Sequence, residues 1–325
     1  MPVITSSNLN ITKLSDALRD PNIASQLSAV TNPDGSAFNP DQFISDVINA
    51  GNKSNIYQNI FEQVSNNNSS SKIVIGFGSD QGSALLDVNN KIMKIGIKLL
   101  TDPYLYVAYS GHEYTHSLDR AYIANLNNDL GLGGGNTQAF ADFVSGRLSA
   151  EAASGFNQLR ISQELIATLK AEAAQSGVGE IESAYINQSL NSLKGAYPLI
   201  SFANDTTSVL PDDFRSASPN VISSLSKIFA GLPMAETPPA NVNPSDWTYL
   251  AGYVKNVADS NANSPPPSEG VAYPVALPDG STTSVTYYNY ASNGLHLSWY
   301  NVDALIVDLH YGIQPFGSGS ASRLW

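Results

Sequence analysis

The chain has 325 residues, of which 42% are hydrophobic and 14% charged, and its formal net charge is -12. It is long and apolar enough to bury a core, and its acidic excess argues against a general nucleic-acid-binding surface, which must be positive. The absence of cysteine excludes disulfides, thiolate metal sites and cysteine nucleophiles, so any metal must be held by histidines and carboxylates.

The first region, residues 1–70, is predicted to be helical. Its apolar residues recur at near-helical spacing, and the clearest of them are Leu14, Leu18, Ile23 and Leu27. An Asn/Ser run from Asn66 to Ser71 marks its end. We treat 1–70 as a helical N-terminal region.

Three strands are predicted next, at Lys72–Phe77, Ala84–Val88 and Lys91–Ile97. Asn89-Asn90 separates the last two, and because Asn tolerates positive φ, the pair reads as a hairpin. A helical pattern without proline then runs from about Tyr104 to Leu126. We therefore expect an α+β fold in which an edge hairpin precedes a long helix.

A second long helix is predicted beyond a glycine-rich turn at Gly131–Gly135. That turn lacks the Lys-Ser/Thr pair of a phosphate-binding loop, so we interpret it as a helix-to-helix connection. The helix begins at Asn136 or Thr137 and runs to about Leu169. Further helices are expected at about 178–195, 218–230 and 245–259.

The C-terminal part is predicted to be rich in aromatic strands. Short strands fall within 271–290, with a turn at Pro278–Gly280, and a last apolar segment follows at 300–311. We accordingly divide the chain beyond residue 70 into an α+β domain, 71–263, and a β-rich segment packed on it, 264–325.

The residues that carry chemistry lie in the sequence His112-Glu113-Tyr114-Thr115-His116, an HExxH motif. Residues four apart on a helix share one face, so the two imidazoles can hold one Zn²⁺. Glu113, next to the first histidine, can then act as general base toward water. Half of the four histidines of the chain belong to this motif.

This motif, in its strand–hairpin–helix setting and with only histidine and carboxylate ligands, resembles the zincin metallopeptidases. The metzincin branch has glycine and histidine three and six residues after the second motif histidine, where this chain has Asp119 and Tyr122. The resemblance is therefore to gluzincins, which take a glutamate from a downstream helix. It implies a zincin-like domain, a bound Zn²⁺, and a protein or peptide substrate.

Two candidates compete for the third zinc ligand. A helical hairpin folded about residue 132 would place residue 148 opposite His116 and residue 152 opposite His112, which favours Glu151. The spacing of Glu151 from the motif also resembles that of effector-type zincins.

The alternative lies in the sequence Gln138–Asp142, which resembles the third-ligand helix of thermolysin-type enzymes. Gln138 occupies the position of the family's glutamate, and Asp142 could support a ligand histidine or be a ligand itself. We assign Glu151 and keep Asp142 as the alternative.

A donor to the oxyanion is also required by hydrolytic zincins, and the candidates are His296, His310 and Tyr311. The segment Asp303–Gly312 that contains two of them faintly resembles one that follows the catalytic core of serralysin-like secreted proteases.

The sequence thus predicts a zinc-dependent metallopeptidase in which zinc-activated water attacks peptide bonds and Glu113 is the general base. In such an enzyme, 71–263 is the zincin-like catalytic domain and 1–70 is a candidate inhibitory prosegment. The alternative is a catalytically silent binding or structural protein of a secreted assembly on a zincin scaffold, which Gln138 supports.

We expect no membrane insertion, since no stretch approaches the roughly 18 apolar residues of a membrane span. Low charge and many small polar residues are typical of exported bacterial proteins, whereas residues 1–10 do not resemble a classical signal peptide. We therefore expect a secreted bacterial protein without such a peptide.

Overall fold

The computed structural model describes residues 3–31, 35–66, 72–76, 84–87, 91–121, 123–126, 137–175, 187, 229, 249, 252, 253, 271–276 and 282–287. Except for the single residues in this list, the predicted helices beyond 175 lie outside the described residues. The glycine-rich turn and the candidates His296, His310 and Tyr311 also lie outside them. No helix in the described ranges combines the length and the apolar character needed to cross a membrane.

The chain divides into two compact units. One comprises Met1–Leu118 with Ser154–Ser216, and the other comprises Asp119–Ala153 with Ala217–Trp325. The domain boundaries proposed from the sequence, at residues 70 and 263, stay a prediction.

The first unit begins with helices, as the apolar spacing predicts. They are α1 (Leu9–Leu18), α2 (Ala24–Leu27), α3 (Pro40–Gly51) and α4 (Asn55–Asn66), with a 3₁₀ turn at Pro21–Ile23. The start of α3 illustrates their local cause. The Asn39 side chain accepts hydrogen bonds from the backbone N–H groups of Asp41 and Gln42, and Pro40 occupies the first helical position.

A three-stranded mixed sheet follows, made of β1 (Lys72–Gly76), β2 (Ala84–Asp87) and β3 (Ile92–Gly96) in the order β1-β3-β2. Strand β3 pairs in parallel with β1 and antiparallel with β2. The predicted hairpin of β2 and β3 is confirmed, and with it the α+β class. Its turn residues Asn89-Asn90 lie outside the described residues, but Lys91, which follows them, has a φ of 54°.

Helix α5 (Pro103–Leu118) carries the HExxH motif and lies against β2, which is an edge strand of the described sheet. Asp102 begins the helix, because its Oδ1 atom accepts the backbone N–H of Tyr104 at 2.9 Å. The prediction of one helix from about Tyr104 to Leu126 is wrong. Asp119 forms a turn, and helical residues resume only beyond it, at 120–121 and 123–126. No glycine or proline marks this break.

Helix α6 (Thr137–Ala173) is continuous over 37 residues and confirms the second long helix. Residues 148–156 are all buried, so the helix is enclosed on every side there. Six of these nine residues are Ser, Ala or Gly, whose small volume allows neighbouring elements to approach closely. The one carboxylate in this stretch is Glu151.

Within the first unit, α6 packs antiparallel to α5. The Asn157 side chain donates a hydrogen bond to Thr115 Oγ1 at 3.1 Å, and Ile161 lies against Gly111. Because the helices are antiparallel and Thr115 lies opposite residue 157, His116 lies opposite residue 156. The hairpin predicted from the sequence instead places residue 148 opposite His116, eight residues earlier in α6. The prediction of a fold about residue 132 is therefore wrong.

One hydrophobic core joins the N-terminal helices, the sheet, α5 and the second half of α6. Tyr57, on α4, is 1% exposed and donates or accepts a hydrogen bond with Ser110 of α5 at 3.1 Å. Glu164 of α6 accepts hydrogen bonds from Ser54 Oγ and from the backbone N–H of Ile56 at the start of α4. The N-terminal region is thus part of the core on which α5 rests.

The described part of the second unit contains one antiparallel strand pair and a group of aromatic rings. Strands β4 (Val271–Ala276) and β5 (Thr282–Tyr287) pair along their whole length, which confirms strands within 271–290. The rings belong to Phe143, Phe229, Tyr249 and Tyr253.

We predict that Gly111→Ala destabilises the protein. A Cβ atom at Gly111 would overlap with the Cδ1 atom of Ile161, because the two would be much less than 3.0 Å apart. Ile161 is fully buried and has little room to move away. We expect a loss of about 1–3 kcal/mol from overpacking, reduced by the better helix propensity of alanine. Urea unfolding measures it. In Gly111→Ala/Ile161→Val the interfering methyl is gone, so the cost of the alanine should be smaller there. An equal cost in both backgrounds would contradict the close contact.

Candidate metal centre

The two histidines of the motif are buried and point at a common place. His112 is 7% exposed and His116 8%, and their Nε2 atoms lie 3.1 Å apart. Two nitrogens that each lie about 2.0–2.1 Å from a tetrahedral zinc are themselves about 3.3 Å apart. The spacing of the pair therefore suits two ligands of one ion.

Glu151 joins this pair. It is 7% exposed, and one ligand atom from each of His112, His116 and Glu151 lies within 4.8 Å of the other two. In the ranges that the structure describes, this is the group of three that could hold a metal ion. Three protein ligands leave a fourth position for water or substrate, as in catalytic sites.

The donor set fits a divalent transition metal. Two imidazoles and one carboxylate suit zinc and also other first-row ions, so these residues alone do not fix the metal. What they establish is a buried site in which a carboxylate and two imidazoles meet, an arrangement that is costly in free energy unless a cation or hydrogen bonds compensate it.

Tyr253 contacts the carboxylate of Glu151. Its hydroxyl donates a hydrogen bond to Glu151 Oε1 at 2.6 Å, and the guanidinium carbon of Arg147 lies 4.9 Å from the centre of the Tyr253 ring. Burial and, second, the negative charge of Glu151 raise the pKa of Tyr253 well above its usual value. The hydroxyl therefore stays protonated and remains a donor at neutral pH.

Glu113, the predicted general base, is 5% exposed and is not a member of the metal-binding group. It follows His112 in the chain, so its side chain leaves α5 about 100° around the helix axis from that ligand. Asp119, three residues after His116, is also buried at 5% exposure. A second buried carboxylate thus lies just beyond the C-terminal end of α5.

The opposite side of α5 is held by buried tyrosines. Tyr57, Tyr106 and Tyr114 are each at most 3% exposed, and burial raises the pKa of all three. They remain neutral, so they anchor the helix without placing a further charge beside the histidines.

The structure does not test the other candidates from the sequence. Gln138 and Asp142 lie on α6, but their side chains are outside the described residues, and His296, His310 and Tyr311 lie outside them as well. Tyr253 was missed by the sequence analysis. It lies 102 residues from Glu151, and no spacing or composition signal distinguishes it from the other 15 of the 16 tyrosines.

Comparison with known proteins gives no match: no protein family, no curated protein and no solved structure resembles the chain significantly.

We predict that Glu151→Gln greatly weakens metal binding, because an amide oxygen is a far poorer ligand than a carboxylate. Competition with a chelating dye measures the affinity for Zn²⁺. The matched control is Glu164→Gln, the same change on the same helix, which should lower stability by weakening the start of α4 but leave the zinc affinity unchanged.

Asp142→Asn decides between the two ligands proposed from the sequence. We expect it to bind zinc far better than Glu151→Gln does. If Asp142→Asn loses the metal and Glu151→Gln binds it like the unmodified protein, Glu151 is not the third ligand.

Proposed function

We propose that this protein is a zinc-dependent peptidase with a zincin-like catalytic arrangement. The observation that carries the proposal is the convergence of the two HExxH imidazoles, 3.1 Å apart, with the carboxylate of a glutamate from a second helix. The resemblance to gluzincins requires a glutamate of this kind.

The surroundings of the site support a zincin-like arrangement. Helix α5, which carries the motif, lies against β2, the antiparallel edge strand of the described mixed sheet. The proposal of a peptide substrate rests on β2, because an extended peptide can add to such an edge by main-chain hydrogen bonds, which no sugar or lipid provides.

His112, His116 and Glu151 would hold the ion. When bound there, Zn²⁺ supplies Lewis-acid chemistry that makes water nucleophilic near neutral pH and stabilises negative charge on the carbonyl oxygen of the substrate.

Glu113 performs the proton transfers. Its carboxylate accepts a proton from the attacking water as the new C–O bond forms, and donates that proton to the amide nitrogen as the C–N bond breaks. Burial at 5% exposure keeps bulk water from competing for this proton. Tyr253 keeps its hydrogen bond to Glu151 throughout, since it contacts the ligand and not the reacting bond.

We predict that Glu113→Gln retains zinc but loses peptide hydrolysis by about 10²–10⁴-fold or more, as expected when a general base is removed. The measurement is turnover of a quenched fluorescent peptide library by zinc-loaded protein, with zinc content determined on the same sample. The exposed Glu62→Gln on α4 is the control and should leave turnover unchanged.

Two results would contradict this account. Undiminished hydrolysis by zinc-replete Glu113→Gln would remove Glu113 from the mechanism. Stoichiometric zinc binding without hydrolysis of any library member by the unmodified protein would favour the catalytically silent binding protein instead.

A further inference from the structure

We infer that Tyr253 is the residue that positions the third metal ligand: its hydroxyl fixes the carboxylate of Glu151 so that it meets the two imidazoles. The inference rests on the proposed metal site, but it concerns metal binding and does not require that the protein cleave peptides.

The contact between the two side chains has the character of a strong hydrogen bond. The 2.6 Å separation of Tyr253 Oη from Glu151 Oε1 is that of a hydroxyl donating to an ionised carboxylate. Both residues are buried, Tyr253 at 1% and Glu151 at 7% exposure. Water is therefore a poor substitute for this donor.

The hydrogen bond restricts the motion that matters most for ligation. The last torsion of a glutamate side chain has broad, shallow minima, so an unrestrained carboxylate presents its oxygens over a range of directions. Engaging Oε1 fixes the plane of the carboxylate and thereby the direction of its remaining lone pairs. A ligand that is fixed in advance loses less conformational entropy when the metal binds.

Tyr253 is itself held by the helix that carries Glu151. Its ring packs edge-on against Phe143, with ring centres 6.5 Å apart, and lies below the guanidinium of Arg147. Phe143, Arg147 and Glu151 are spaced by four residues along α6, so they form one face of the helix. The two ring contacts, with Phe143 and Arg147, hold the Tyr253 hydroxyl at one oxygen of the Glu151 carboxylate.

The decisive variant is Tyr253→Phe, which removes the hydroxyl and keeps the ring. We expect its dissociation constant for Zn²⁺, measured by chelator competition, to rise by about 10–100-fold, the usual effect of losing a partner of a metal ligand. The control is Tyr249→Phe, the same change in the neighbouring ring, whose centre lies 6.1 Å from that of Tyr253. It should bind zinc like the unmodified protein.

A second readout separates positioning from general stability. With Co²⁺ in place of zinc, the visible absorption reports the geometry of the ligands. Tyr253→Phe should change this spectrum and Tyr249→Phe should not, while the metal-free forms of both unfold at similar urea concentrations. An unchanged zinc affinity and an unchanged cobalt spectrum in Tyr253→Phe would overturn the inference.

A double-mutant cycle tests whether Tyr253 acts through Glu151. In a Glu151→Gln background, Tyr253→Phe should have little further effect on zinc affinity, because the carboxylate it positions is gone. An equal loss in both backgrounds would show that the tyrosine acts elsewhere, and would also overturn the inference.

Arg147→Met provides a further variant that leaves the hydroxyl in place. Loss of the cation over the ring should weaken zinc binding in the same direction as Tyr253→Phe but less strongly. A larger loss than that of Tyr253→Phe would contradict the primary role of the hydroxyl.

Failure of this inference is distinguishable from failure of the proposed function. If Tyr253→Phe loses zinc affinity while no form of the protein hydrolyses peptides, the positioning role stands and the peptidase proposal fails. If zinc binding is the same with and without the hydroxyl while the protein hydrolyses peptides, the reverse holds. An unmodified protein that binds no metal overturns both.

Discussion

The close packing of α6 on α5 is the interaction on which the rest of the site depends. Gly111 lies one residue before the motif and, having no side chain, allows Ile161 to approach the backbone of α5. One turn further along α5, Asn157 donates a hydrogen bond to Thr115, a residue of the motif itself. Helix α6 is a single helix from Thr137 to Ala173, so Glu151 lies on the same helix as the two residues that make these contacts.

The cost of burying ionisable groups explains why the site needs so many supports. His112, His116, Glu113 and Glu151 are all buried, and a buried charge without compensation is strongly unfavourable. A bound cation would compensate the charge of the carboxylates, and the hydrogen bond from Tyr253 already does so in part for Glu151. Part of the binding free energy of the ion should consequently appear as folding stability.

The elements and the histidine pair follow from local sequence. Hydrophobic periodicity indicates the helical character of residues 1–70, the presence of α5, the strands of the β2–β3 hairpin and the approximate length of α6, since each reflects the period of a single element. The i, i+4 spacing of His112 and His116 likewise places both imidazoles on one face of a helix, whatever the rest of the fold does.

Hydrophobic periodicity does not show where one helix stops and the next begins, or how two elements are aligned with each other. The turn at Asp119 has no glycine or proline to indicate it, and the register of α5 on α6 is set by the pairs Gly111–Ile161 and Thr115–Asn157. Neither pair stands out in the sequence. The contact of Tyr253 with Glu151 is even harder to predict, because the two residues are 102 positions apart and only tertiary structure brings them together. Glu151 was therefore assigned from a hairpin register that the structure corrects, even though the structure does bring its carboxylate to the histidines.

Zinc K-edge X-ray absorption of the protein loaded with one zinc per chain tests the central claim most directly. The scattering pattern of imidazole rings counts the histidine ligands, and oxygen and nitrogen ligands are expected at about 2.0–2.2 Å. The account predicts two imidazoles and at least one carboxylate oxygen, with the carboxylate contribution lost in Glu151→Gln. A third imidazole, fewer than two, or an unchanged spectrum in that variant would contradict it.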